Sequence, residues 1–153
     1  MQNKNKLVSC IITTCKRGQL LSRAIESVLN QTYKNIEVIV IDDCPCEETR
    51  KIMNKYLIQH HNIIYIQNEN NLGPSGARNK GVFESKGEFI AFLDDDDEWL
   101  PEKIESQMQF VNIANIVCNP PYFRQSNDEQ FNDVVKKNQS DYNKYKTWKI
   151  RDL

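Results

Sequence analysis

Strand-sized apolar runs, each followed by a stretch of helical periodicity, recur along most of this chain, and that alternation leaves few folds open to it. Leu7 to Thr13 carries Leu7, Val8, Cys10, Ile11 and Ile12 in one short run, the pattern of a strand buried on both faces. Leu20, Leu21, Ala24, Ile25, Val28 and Leu29 then recur at spacings of one and four, which predicts an amphipathic helix closing on Asn30-Gln31-Thr32. Ile36 to Ile41 predicts a second buried strand. Ile52, Met53, Tyr56 and Leu57 repeat the helical pattern, with Glu47 and Glu48 placed where a helix N-terminus favours negative charge. Ile63 to Ile66 reads as a third strand, Asn68 to Ser75 as a loop around Gly73-Pro74, and Gly76 to Ser85 as a weaker helix. Phe89 to Leu93 predicts strand four. A helix is expected from about Pro101 to Asn112 on Ile104, Met108 and Val111, and a fifth strand over Ala114 to Cys118.

Strands that alternate with helices need crossover connections, so the expected fold is α/β: a doubly wound, mostly parallel sheet with helices on both faces. A chain of 153 residues supports one core of this kind. Residues 1–118 are expected to form it. Residues 119–153 turn to Asn, Gln, Lys, Asp and Tyr with little periodicity, a polar segment that cannot complete a core alone.

With 20 basic and 21 acidic residues the net charge is -1, which gives no electrostatic footprint for sequence-independent nucleic-acid binding. The apolar runs fall far short of the roughly 20 residues of a membrane span. Met1 to Lys6 is followed too soon by polar residues for a signal peptide, so a cytoplasmic location is expected. Five cysteines without an export signal predict reduced thiols in place of a disulfide framework. Cys44-Pro45-Cys46 is read as free thiols in a loop, since no second Cys/His pair stands at zinc-ligand spacing; a metal or redox pair is the alternative.

In an open parallel sheet ligands sit at the carboxyl ends of the strands. Four polar groups fall there: Thr13-Thr14-Cys15-Lys16-Arg17, Asp42-Asp43, the Asn-rich loop at Gly73, and Asp94-Asp95-Asp96-Asp97. Four adjacent carboxylates repel one another and need a cation, a basic partner or protonation. Asp94 and Asp96, two apart in an extended segment, can share a side as an Asp-x-Asp pair of hard oxygen ligands; a solvated turn capping the helix near Pro101 is the alternative. Asp43 can accept from a base N–H or ribose hydroxyl, or cap a turn. Arg78 can meet a diphosphate, or lie solvated on a helix. A signalling receiver domain, also doubly wound, would carry its acidic pair after the first strand, where this chain has Thr13-Thr14.

Five blocks stand in one order: Val8 to Thr14, Ala24 to Tyr33, Glu37 to Asp43, Asn71 to Asn79, and Phe89 to Asp97 with Pro101-Glu102-Lys103. On these blocks, from about Leu7 to Val111, the chain resembles the family 2 glycosyltransferases, whose nucleotide-binding domain has the Rossmann-like GT-A fold. The resemblance implies that residues 1–118 bind a nucleotide sugar and that the fold is incomplete at the C-terminus of the chain. It implies that Thr13 and Thr14 line the base and ribose pocket, that Asp43 bonds the base, and that Arg78, Asp94 and Asp95 contact the nucleotide sugar. Asp96, with Asp94, would hold Mg2+ or Mn2+. Members usually carry an aromatic residue and Asn where this chain has Cys15-Lys16, which removes a stacking ring worth roughly 1–3 kcal/mol.

The implied activity is metal-dependent, inverting transfer of a sugar from a nucleotide-diphosphate sugar, UDP-linked by expectation, to a saccharide or lipid-linked acceptor hydroxyl. Cell-surface polysaccharide or glycoconjugate synthesis at the inner face of the membrane is the implied setting, with peripheral membrane contact made by regions outside this chain. The general base is expected beyond Leu153, so a nucleotide-sugar-binding fragment without turnover is the alternative.

Overall fold

The computed structural model describes residues 6–111. Four parallel strands form one sheet in the order β3-β2-β1-β4: β1 Val8–Thr14, β2 Ile36–Asp42, β3 Ile63–Gln67 and β4 Phe89–Asp94. Four helices alternate with them: α1 Gly18–Leu29, α2 Glu47–Gln59, α3 Gly73–Glu84 and α4 Lys103–Met108. This is the expected α/β arrangement.

The central strands β1 and β2 are mostly apolar because both of their faces are covered. On one face Ile11, Ile39 and Ile41 pack with Ala77 of α3, flanked by Ile64 and Ile66. Cys10, Ile12, Val38 and Val40 alternate with these residues, so they point to the opposite face, where α1 and α2 pack together. There α1 buries Leu21, Ala24, Ile25 and Val28, the residues whose spacing announced it. Gly81 lets α3 lie close to the sheet, since a Cβ at that position would stand 2.5 Å from Ile11 Cγ2.

Two expectations change, and the exposure of β4 is a further finding. The loop expected over Asn68 to Ser75 ends sooner, because α3 begins at Gly73 with Pro74 in its first turn, where a fixed φ and a missing N–H carry no penalty. The helix expected from Pro101 to Asn112 is confined to Lys103–Met108. Strand β4 is not buried on both faces: Ile90 and Phe92 are 38% and 46% exposed, since α3 sits over β1 and β2 and, among the described residues, β4 has no neighbour on its outer side. The expected strand over Ala114 to Cys118 and the segment from Asn119 lie outside the described residues.

Candidate functional site

The register of the sheet assembles the site. Thr13 stands beside Asp94 of β4 and Ile41 of β2, and Thr14 beside Asp42, so the polar residues following β1, β2 and β4 emerge at one edge. Backbone bonds extend that edge: Asp43 N donates to Thr14 O at 2.9 Å and Asn68 N to Asp42 O at 2.9 Å.

The acidic run turns sharply, with Asp97 N donating to Asp94 O at 3.1 Å, and the turn sends successive carboxylates in different directions. Asp95 points inward and is fully buried, its Oδ2 accepting from Thr14 Oγ1 at 2.7 Å and Arg17 Nε at 3.1 Å. Its Oδ1 lies in ion-pair contact with Arg17 Nη2 but accepts no well-directed hydrogen bond. Asp94 and Asp96 point outward, with side chains 43% and 49% exposed. Arg78 Nη2, from α3, reaches Asp94 Oδ1 at 2.6 Å, and Arg17 Nη1 reaches Asp96 Oδ2 at 3.0 Å. Two arginines thus answer the repulsion among these carboxylates. The remaining charge shows at Asp97, whose carboxyl is held above its usual range by partial burial and then by Asp96 and Asp94.

Asp94 and Asp96 are the side chains that would hold a divalent cation here. Asp94 Oδ2 and Asp96 Oδ1 carry no hydrogen bond among the described residues and are hard oxygens at a partly exposed position. No cluster of three ligating side chains exists among the described residues, so such an ion would depend on oxygens supplied by its ligand.

Asp43 is 6% exposed and caps α3 from another element. Its Oδ1 accepts from Asn68 Nδ2 at 2.8 Å and Leu72 N at 2.9 Å, and its Oδ2 from Gly73 N at 2.8 Å, which leaves Oδ2 one acceptor position. Neighbouring Asp42 is fully buried, and burial raises its carboxyl despite the bond from Tyr65 OH at 2.7 Å. Thr13 is half-buried at the same edge.

Two features escaped the sequence. Cys15 and Cys44 form a disulfide with a Cα–Cα distance of 4.6 Å, which corrects the expectation of reduced thiols throughout; Cys10 and Cys46 are free. A cysteine count carries no information on proximity, whereas the pairing of Thr14 with Asp42 brings the two following loops side by side. Gln31 is the second. Fully buried, it donates from Nε2 to Leu100 O at 2.7 Å and accepts at Oε1 from Ile104 N at 2.9 Å, fastening the segment after the acidic run to the end of α1. Standing in the polar stretch Asn30-Gln31-Thr32, it carried no signal of burial along the chain.

The profile of the family described as "Glycosyl transferase family 2" matches residues 9–153. Among curated proteins, the chain is 41% identical over 111 residues to the UDP-Glc:alpha-D-GlcNAc-diphosphoundecaprenol beta-1,3-glucosyltransferase WfaP of Escherichia coli, covering 72% of this chain and 43% of that protein. It is 39% identical over 106 residues to the GalNAc(5)-diNAcBac-PP-undecaprenol beta-1,3-glucosyltransferase of Campylobacter jejuni, covering 69% and 34%. Among solved structures, S. aureus TarS 1-349 in complex with UDP-GlcNAc superposes with a TM-score of 0.64 at 27% identity, over 78% of this chain and 37% of that one. The chain thus spans less than half the length of these proteins.

Proposed function

The chain belongs to glycosyl transferase family 2, and from that membership we propose that it forms the donor-binding portion of an enzyme moving a sugar from a nucleoside-diphosphate sugar to an acceptor hydroxyl. The observation that carries the reading is the gathering of Asp43, Asp94, Asp96, Arg17 and Arg78 at the carboxyl edge of one parallel sheet.

Each residue then has a task. Asp43 Oδ2 offers its remaining acceptor position to a base N–H, beside the Thr13 backbone edge. Asp94 and Asp96 hold Mg2+ or Mn2+ through their outward oxygens. Such an ion would supply positive charge to offset the negative charge building on the diphosphate leaving group. Arg78, paired with Asp94, could exchange that carboxylate for a paired bond to phosphate. Thr14 and Asp95 complete the donor site, Thr14 Oγ1 holding Asp95 and Asp95 in turn orienting Arg17. No residue is assigned as general base.

The relatives' names support a UDP-sugar donor and an undecaprenyl-diphosphate-linked glycan as acceptor, and on that basis we read the activity as cell-surface polysaccharide assembly at the inner membrane face. No helix among the described residues is long and apolar enough to cross a membrane. A β-linked product from an α-linked UDP-sugar requires inversion at the anomeric carbon, and the β-1,3 products of both relatives support that course.

Calorimetric titration of UDP, GDP and dTDP with and without Mn2+ tests the reading. Cation-dependent binding of UDP, abolished in Asp96→Ala, is expected. A folded protein that binds none of the three nucleotides under either condition overturns it.

A further inference from the structure

The disulfide joins the loops that follow β1 and β2, at the edge where the acidic run also emerges. Directly after Cys15, Lys16 has a φ of 55°, the one non-glycine residue in the left-handed region among the described residues. A side chain such as lysine has no local hydrogen bond to offset the steric cost of that conformation, so something outside the residue must hold it there. The next residue is Arg17. With Lys16 in the left-handed region, the Arg17 guanidinium meets Asp95 through Nε and Nη2 and Asp96 through Nη1. Returning Lys16 to an ordinary conformation would redirect the chain at Arg17 and take the guanidinium from both carboxylates.

We propose that the Cys15–Cys44 crosslink is a positioning element of the donor site: it holds Lys16 left-handed and so aims Arg17 at Asp95 and Asp96, and its reduction by a dithiol weakens nucleoside-diphosphate binding. The inference rests on the donor-site reading given above. Without Arg17 the buried Asp95 keeps only Thr14, and Asp96 presents an uncompensated negative charge to an incoming diphosphate, while Asp94 retains Arg78. Cys15 and Cys44 are both half-buried, so a small dithiol can reach them.

The chemistry balances without a further reagent. A thiolate of the dithiol attacks Cys44 Sγ, the S–S bond breaks, and Cys15 leaves as a thiolate that takes a proton. The second thiol of the reagent, deprotonated, attacks the mixed disulfide; Cys44 departs and is protonated, and the reagent closes to its cyclic disulfide. Two electrons and two protons pass to the cysteine pair.

The test uses the full chain carrying Cys46→Ser, which removes the half-buried free thiol two residues after Cys44. Oxidised and dithiol-reduced samples, freed of excess reagent under nitrogen, are titrated with UDP in the presence of Mg2+, while circular dichroism follows the fold. Reduction is expected to weaken UDP binding by about tenfold or more, the order of one charge-assisted hydrogen bond. Adding Lys16→Asn is expected to restore most of that loss in the reduced protein, because Asn visits the left-handed region at little cost. A crosslink that merely stabilised the fold would not be rescued at position 16.

Equal affinity of the oxidised and reduced proteins, or no recovery with Lys16→Asn, overturns the proposal. A ligand-free readout separates its failure from that of the donor-site reading: the Arg17 Nε–H proton should be protected from exchange in the oxidised protein, exposed on reduction, and protected again with Lys16→Asn. If the oxidised protein binds no nucleotide yet shows this pattern, the donor reading fails and the positioning of Arg17 stands. If reduction unfolds the chain, the same comparison in Lys16→Gly and Lys16→Asn decides, since a left-handed residue 16 that does not keep Arg17 Nε–H protected after reduction refutes the role.

Discussion

Arg17 and Asp95 meet across 78 residues of chain, Arg17 Nε donating to Asp95 Oδ2 at 3.1 Å, with the carboxylate fully buried and the guanidinium half in water. The pair is therefore asymmetric. Removing the arginine strands a buried charge, whereas removing the carboxylate frees a cation that water can solvate. Arg17→Ala is expected to destabilise the fold by about 2–4 kcal/mol and Asp95→Asn by about half as much. Urea unfolding of both variants measures the difference; equal losses would mean that Asp95 does not depend on Arg17.

Asp43 holds the start of α3 by accepting from Leu72 N and Gly73 N. Asp43→Ala is expected to cost about 1–3 kcal/mol, the range for buried donors left without an acceptor. Hydrogen exchange should localise the damage, with faster exchange at the N-terminus of α3 and little change in α1.

Gly81→Ala would place a Cβ at 2.5 Å from Ile11 Cγ2, inside the core and with no flexible side-chain tip to give way. The expected loss is about 1–3 kcal/mol. In a chain that also carries Ile11→Ala, the added cost of Gly81→Ala should fall below its cost alone, because the clashing methyl is gone. Strict additivity in the double variant would mean that α3 and β1 do not approach this closely.

The Asp97 carboxyl is raised above its ordinary 3.8 by partial burial and by Asp96 and Asp94. With the folded value above the unfolded one, the ionised group destabilises the fold at neutral pH, and the penalty disappears as pH falls below the unfolded value. Asp97→Asn should thus raise Tm at pH 7 only slightly, because solvent screens this exposed group, and leave it unchanged near pH 3. A gain that persists undiminished at pH 3 would exclude a charge effect.

Much of the fold was legible in one dimension. The runs Val8–Thr14 and Ile36–Asp42 are mostly apolar because both faces are covered, and that pattern is visible along the chain itself. The face of α1 was visible for a related reason, since Leu21, Ala24, Ile25 and Val28 are spaced by the helix itself. The start of α3 was not, because the acceptor that satisfies its first N–H groups is Asp43, thirty residues before Gly73. The exposure of Phe92 was hidden as well, as an edge strand built of apolar residues reads like a central one.

At the site, sequence located the four polar groups at strand ends and recognised that adjacent carboxylates need compensation. It pointed to a cation at Asp94 and Asp96, but which basic side chains lie opposite depends on the fold. Parallel register supplied them: pairing Thr13 with Asp94 and Thr14 with Asp42 brought Arg17 onto Asp95 and Asp96, and Cys15 onto Cys44. Periodicity is a property of neighbours along the chain and survives in the sequence; charge pairing, capping and crosslinking are properties of neighbours across the sheet, and they exist only once the strands have aligned.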